Sequence, residues 1–191
     1  MSLDKTLREF VHIRNLDDDD FCDRLIDEGD RTDGWRPHFW TYLDKGGTKE
    51  KDHDADVLWS NGKIAQEYHK RLVSLYEDII VGQGDGVHGW AHVVQVSLPR
   101  FNRYSESSDM NVHIDHIKSL FGDNPHTCGI PVVSFVALLN DDFEGGQFML
   151  NGEDMNLTKG DVICFPSLFM YPHEVSKITK GTRYSVVNWA W

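Results

Sequence analysis

The string Asn111-Val112-His113-Ile114-Asp115-His116 holds the residue types that bind metal ions. In a strand, side chains two apart share a face, so His113 and Asp115 can bring an imidazole and a carboxylate to one point. A second histidine would complete a 2-His-1-carboxylate face with coordination positions left open, which suits non-haem Fe(II) oxygen chemistry. His173 is the best candidate for it, because it follows the aromatic-rich stretch 165–172 at the entry to a further strand. His116 competes for the same role, but a strand running through Asp115 would point it away. Arg183 lies ten positions beyond His173, inside the strand-like run 183–189. A guanidinium there needs a carboxylate partner, since a buried unpaired charge is very costly, and a dicarboxylic cosubstrate would supply one.

Two kinds of element must position these groups. Apolar residues at helical spacing mark a first helix through Phe21, Leu25 and Ile26, capped by Asn15 or Asp17. A second, opened by Ser60 or Asn61, carries Ile64, Tyr68, Leu72, Leu75 and Ile79 on one face. Segment 35–60 reads as irregular, and the glycine run 82–86 does not match a phosphate loop. From residue 90 the period changes from 3.6 to 2. Strands are expected at 91–98 (limited by Pro99), 132–139, 147–150, 154–157, 161–165, 171–175 and 183–189, separated by turn signals such as Asn151-Gly152. Helices followed by about eight short strands predict a mainly β, α+β chain with a sandwich, barrel or jelly-roll core. At 191 residues it reads as a single domain, with helical support over about 1–89 and the β core over about 90–191.

The order His113-x-Asp115, His173, Arg183 resembles the 2-oxoglutarate and Fe(II)-dependent dioxygenases, above all the prolyl 4-hydroxylase-like branch. The strings Arg103-Tyr104, 139–148, 160–167 and 183–189 carry the same resemblance over about residues 90–191. It implies a double-stranded β-helix. It implies His113, Asp115 and His173 as iron ligands, and Arg183 as the partner of the distal carboxylate of 2-oxoglutarate. It implies that Tyr104 binds that carboxylate as well, and that Trp189 lies beside the metal. The cofactors implied are Fe(II), 2-oxoglutarate and O2, with ascorbate as reductant. The reaction implied is hydroxylation of an unactivated C–H with release of succinate and CO2. A prolyl residue in a peptide or protein is the leading substrate, and a free amino acid or other small molecule the alternative. A metal-free jelly-roll binding module would not need these four residues together. Met110 and Leu138 stand where relatives often carry tyrosine, and both should make the pocket more apolar.

Charge and composition narrow the partners. A net charge of −12 repels phosphate backbones, so no nucleic acid is expected. The same charge favours substrates with basic flanks through long-range steering. No apolar run is long enough for a membrane-spanning helix, and the first residues lack the apolar segment of a secretory signal. Cys22, Cys128 and Cys164 show no metal or disulfide spacing and read as free thiols in a reducing, cytoplasmic setting. Segments 35–60, 82–89 and 105–110 have the composition of mobile loops and are the candidate lids.

Overall fold

The computed structural model describes residues 5–41, 49–82, 93, 95–116 and 129–191. Its elements run α1 (Lys5–Arg8), β1 (His12–Asn15), α2 (Asp19–Arg31), β2 (Arg36–Thr41), β3 (Lys49–Trp59) and α3 (Lys63–Leu75), then a wide turn at Asp78–Gly82. The strands continue as β4 (Arg100–Tyr104), β5 (Met110–His113), β6 (Val133–Leu138), β7 (Glu144–Gly145), β8 (Phe148–Leu150) and β9 (Glu153–Asp154). The last are β10 (Asp161–Pro166), β11 (His173–Val175), β12 (Ile178–Lys180) and β13 (Arg183–Ala190).

A major sheet of order β1-β10-β6-β13-β4-β3-β2 faces a minor sheet of order β5-β11-β8-β9, and β12 pairs with β7. This is the expected jelly roll. Two apolar clusters explain it. One joins Phe21, Leu25, Tyr68 and Leu72 of the helices to Phe101, Phe135, Val162 and Val186 on the outer face of the major sheet. The other joins Val136, Ile163, Phe165 and Trp189 on its inner face to Phe148, Leu150 and Val175 of the minor sheet. Central strands are therefore covered on both sides. Every residue of β6 is buried, which is why 130–139 reads as a nearly continuous apolar run. Removing a ring such as Phe135 or Phe165 from such a core costs about 3–5 kcal/mol.

The helices differ from expectation in their caps. Asp18, not Asn15 or Asp17, caps α2 by accepting from the Phe21 amide at 2.9 Å. Asn15 instead donates to Asp161 at 2.8 Å. At the start of α3 the cap position is Gly62, which has no side chain to offer. Glu28 of α2 takes over that task, accepting from the amides of Ile64 and Ala65 at 2.9 Å each. A carboxylate at a helix N-terminus also suits the helix dipole.

One expectation along the chain is corrected. Segment 35–60 is not irregular: β2 and β3 pair there and extend the major sheet beyond β4. The polar alternation of Lys49-Glu50-Lys51-Asp52 conceals an outer strand that lacks the apolar signal of the central ones. Of the strand expected at 91–98, residues 91, 92 and 94 lie outside the described residues, and a further strand stands at Arg100–Tyr104, after Pro99. Before the proline, Val96 bridges Ala190 antiparallel, with Gln95 and Ser97 exchanging backbone hydrogen bonds with Trp191 and Trp189 at the end of β13. Among the candidate lids, the glycine run at 83–89 and residues 42–48 lie outside the described residues. Segment 105–110 is held in place, since Ser107 donates to Ile178 and Ile178 to Ser108 through their backbones. Cys22 and Cys164 are free and buried, and burial pushes the Cys22 thiol up to about 11. Cys128 lies outside the described residues.

Candidate metal and cosubstrate site

His113 closes β5 and His173 opens β11, and the two are direct partners across the antiparallel ladder. Their ring centroids are 4.2 Å apart. Asp115 lies just past the end of β5 rather than within a strand. It still reaches both rings: Oδ1 is 3.6 Å from His113 Nε2 and Oδ2 is 3.6 Å from His173 Nε2. One ligand atom from each residue falls within 4.8 Å of the others, a spacing that can hold one metal ion.

The surroundings orient these atoms. His113 Nδ1 faces the Asn111 carbonyl at 2.7 Å, and His173 Nδ1 faces the Tyr171 carbonyl at 3.1 Å. A carbonyl can only accept, so each Nδ1 carries the proton and each Nε2 offers a lone pair to the centre. Burial lowers the His113 pKa to about 4, with His173 adding to the effect, so this imidazole is neutral and able to ligate at ordinary pH. Burial alone would raise the Asp115 carboxyl. The two imidazoles and the Ser134 hydroxyl outweigh it and hold the carboxyl below its usual range. Ser134 donates to Asp115 Oδ2 at 2.7 Å and lies 2.7 Å from the Ser167 hydroxyl.

Arg183 begins β13, opposite Tyr104 of β4. It is 1% exposed, the largest fully buried side chain among the described residues. Its Nη1 donates to Ser185 at 3.0 Å, and its guanidinium carbon lies 5.3 Å from the centre of the Tyr104 ring. Its Nε and Nη2 have no hydrogen-bond partner among the described residues. These two N–H groups form one edge of the guanidinium, a fork that matches a carboxylate. Burial lowers the Arg183 pKa, yet a guanidinium this basic stays charged, so the orphaned fork calls for an anion.

All six residues singled out from the sequence border one cavity: His113, Asp115, His173, Arg183, Tyr104 and Trp189. Met110 borders it too, as an apolar wall. Leu138 does not; it lines a neighbouring pocket that reaches Arg183 from the other side. His116 stays out of the cluster, with Nδ1 on the Pro131 carbonyl at 2.9 Å. Sequence reasoning missed Arg100, Asn102, Ser134 and Ser185. Their signal is a polar residue at every second position of Arg100-Phe101-Asn102-Arg103-Tyr104, and lone serines inside the apolar runs 132–139 and 183–190.

A 2-His-1-carboxylate face beside a buried, unpaired carboxylate fork fits a divalent ion and a dicarboxylate. Residues 99–191 match the model of the 2OG-Fe(II) oxygenase superfamily. These residues are thus similar to a 2OG-Fe(II) oxygenase domain. That superfamily implies Fe(II), 2-oxoglutarate and O2, and His113, Asp115 and His173 could hold the iron. A PKHD-type hydroxylase of Acinetobacter baumannii is 31% identical over 96 residues, 48% of this chain and 41% of that protein. One from Xylella fastidiosa is 34% identical over 100 residues, 48% of this chain and 43% of that protein. The chain thus spans about two fifths of the length of these relatives. In fold it resembles a Trichoplax adhaerens prolyl hydroxylase solved with a hypoxia inducible factor peptide fragment. The TM-score is 0.71 at 15% identity, over 95% of this chain and 83% of that one. A Pseudomonas putida prolyl-4-hydroxylase gives 0.68 at 18% identity, over 95% and 91%.

Proposed function

We propose that this protein is a 2-oxoglutarate- and Fe(II)-dependent dioxygenase that hydroxylates an unactivated C–H of a prolyl residue in a peptide or protein. One oxygen atom of O2 goes to the product and the other to succinate, with CO2 released. The observation that carries the reading is the orphaned fork of Arg183 on the cavity that also holds the His113, Asp115 and His173 ligand atoms. We read residues 1–191 as one domain, because β1, β2 and β3 complete the sheet that backs the site. A cytoplasmic setting belongs to the same proposal, on the strength of the free, buried thiols of Cys22 and Cys164.

In this reading His113, Asp115 and His173 hold the iron, which when bound supplies the site for O2 and the oxidising power. Arg183 fixes the distal carboxylate of the cosubstrate through its free edge, and Tyr104 flanks it. Val136, Phe148, Val175 and Val187 line the cavity and keep water from competing for the oxidant. No side chain needs to act as a general base. A peptide substrate is supported by a fold shared with a prolyl hydroxylase solved with a peptide fragment. The test is incubation with proline-containing peptides, iron, 2-oxoglutarate and ascorbate. The product should gain the mass of one oxygen atom as succinate appears. Oxidation of free amino acids with no peptide modified would select the small-molecule alternative.

A further inference from the structure

Arg100 has no role in the account above, yet it borders the same cavity. Alternation along β4 puts Arg100, Asn102 and Tyr104 on the cavity side, while Phe101 packs against the helices and Arg103 pairs outside with Asp30 and Asp56. Arg100 is partly buried, and its guanidinium carbon stands 4.5 Å from the centre of the Trp189 indole. Its Nε donates to Asn102 Oδ1 at 3.1 Å. Asn102 is its only hydrogen-bond partner among the described residues, and Asp115 acts on it only at longer range, without a salt bridge. Stacking fixes the guanidinium plane and Asn102 occupies one edge. The end formed by the two terminal amino groups is left as a second carboxylate fork.

Register separates the two arginines. Tyr104 pairs with Arg183 and Arg100 with Val187, so they stand four residues apart, about 13 Å along the strand. The metal face lies towards the Arg100 end: Asp115 is bonded to Ser134, and Ser134 pairs with Trp189, on which Arg100 stacks. Arg183 therefore serves the distal end of the cosubstrate, and Arg100 faces the opposite side of the metal. Charge points the same way. With a divalent ion, Asp115, Arg183 and Arg100 leave the cavity with three net positive charges, and the cosubstrate brings two negative ones. His38, beside Arg100, is held neutral mainly by burial and does not alter this balance. The uncompensated positive charge is the one at Arg100, and a partly desolvated cation is stabilised by a bound anion.

Resting on the dioxygenase reading, we infer that Arg100 is a specificity-determining residue that binds a carboxylate of the primary substrate, within one residue of the C–H that is oxidised. The substrate is then locally acidic, although the −12 charge of the whole chain favours basic groups farther away. The probes are matched pairs: acetylated proline against its amide, and short proline peptides with glutamate against glutamine on either side. Their binding is measured by calorimetry to the anaerobic Fe(II) protein saturated with 2-oxoglutarate, so no turnover intervenes. The native protein should bind at least one acidic probe about tenfold or more tighter than its neutral partner. Arg100→Gln should abolish that preference, and Arg100→Lys, which keeps the charge and loses the fork, should restore part of it. Affinity for 2-oxoglutarate should be unchanged in both variants, which also reports that they fold. Equal binding within every pair, or no binding of any probe, overturns the assignment. Weakened 2-oxoglutarate binding in Arg100→Gln overturns it too, by giving Arg100 to the cosubstrate. If the native protein fails to bind 2-oxoglutarate with iron present, the dioxygenase reading itself falls.

Discussion

His113 and His173 face each other across one antiparallel pair, 4.2 Å between ring centroids, with each Nδ1 bonded to the carbonyl two residues before it. Two short strands thereby aim two imidazole lone pairs at one point, and Asp115 closes the third side. Replacing His173 by Ala should remove stoichiometric Fe(II) or Mn(II) binding in calorimetry. The native apoprotein should gain about 3 kcal/mol of unfolding stability at a metal concentration a hundred times the Kd. A His173→Ala protein that gained the same stability would place the ion elsewhere.

Ser134 donates to Asp115 at 2.7 Å and orients that carboxylate without reaching the metal point itself. Ser134→Ala should keep the fold and weaken metal binding about 10–100-fold, the usual effect of losing such a partner. Ser134→Thr retains a donor and should recover part of the affinity. Equal metal affinity in native and Ala proteins would make the hydrogen bond incidental.

At the start of α3, a Cβ on Gly62 would lie 2.4 Å from the Glu28 carboxyl carbon. Gly62→Ala must therefore displace the group that caps the Ile64 and Ala65 amides. A loss of about 1–2 kcal/mol in urea unfolding is expected, the range for a lost helix cap. If alanine at this site leaves the midpoint unmoved, Glu28 is not the cap.

How much of this could be read from the sequence depends on how local each signal is. His113, Asp115, His173 and Arg183 were legible because their types and order are informative without coordinates. The central strands were legible because burial on both faces makes them mostly apolar, as in β6 and β10. β3 was not, since an outer strand such as Lys49–Trp59 can be largely polar. β4 was missed because Arg100–Tyr104 is half polar to serve the cavity and follows a proline that reads as a strand end. Glu28 as the cap of α3 is a long-range contact that no local pattern announces.

Burial depresses the His38 pKa to about 3, with Arg100 and His113 adding to it. In the unfolded chain that imidazole titrates near about 6.5. Between those values the unfolded state binds the extra proton and the native state does not. Stability should therefore fall as pH drops from about 6.5 towards about 3, by on the order of 2–4 kcal/mol from this group. His69 and His12, also lowered chiefly by burial, contribute with the same sign. Urea unfolding of the metal-free protein at about pH 7 and about pH 4.5 measures the slope, and His38→Gln should flatten it. An unchanged slope in that variant would assign the acid sensitivity to other groups.

The central claim is that Arg183 and the metal face form one cosubstrate site. The direct measurement is calorimetric titration of 2-oxoglutarate into the anaerobic Fe(II)-loaded protein, native and Arg183→Gln, with and without metal. Native protein should bind 2-oxoglutarate only when metal is present, and Arg183→Gln should weaken it by about 2–5 kcal/mol, the range for removing one partner of a buried charge pair. Affinity that is indifferent to both the metal and Arg183 would contradict the account.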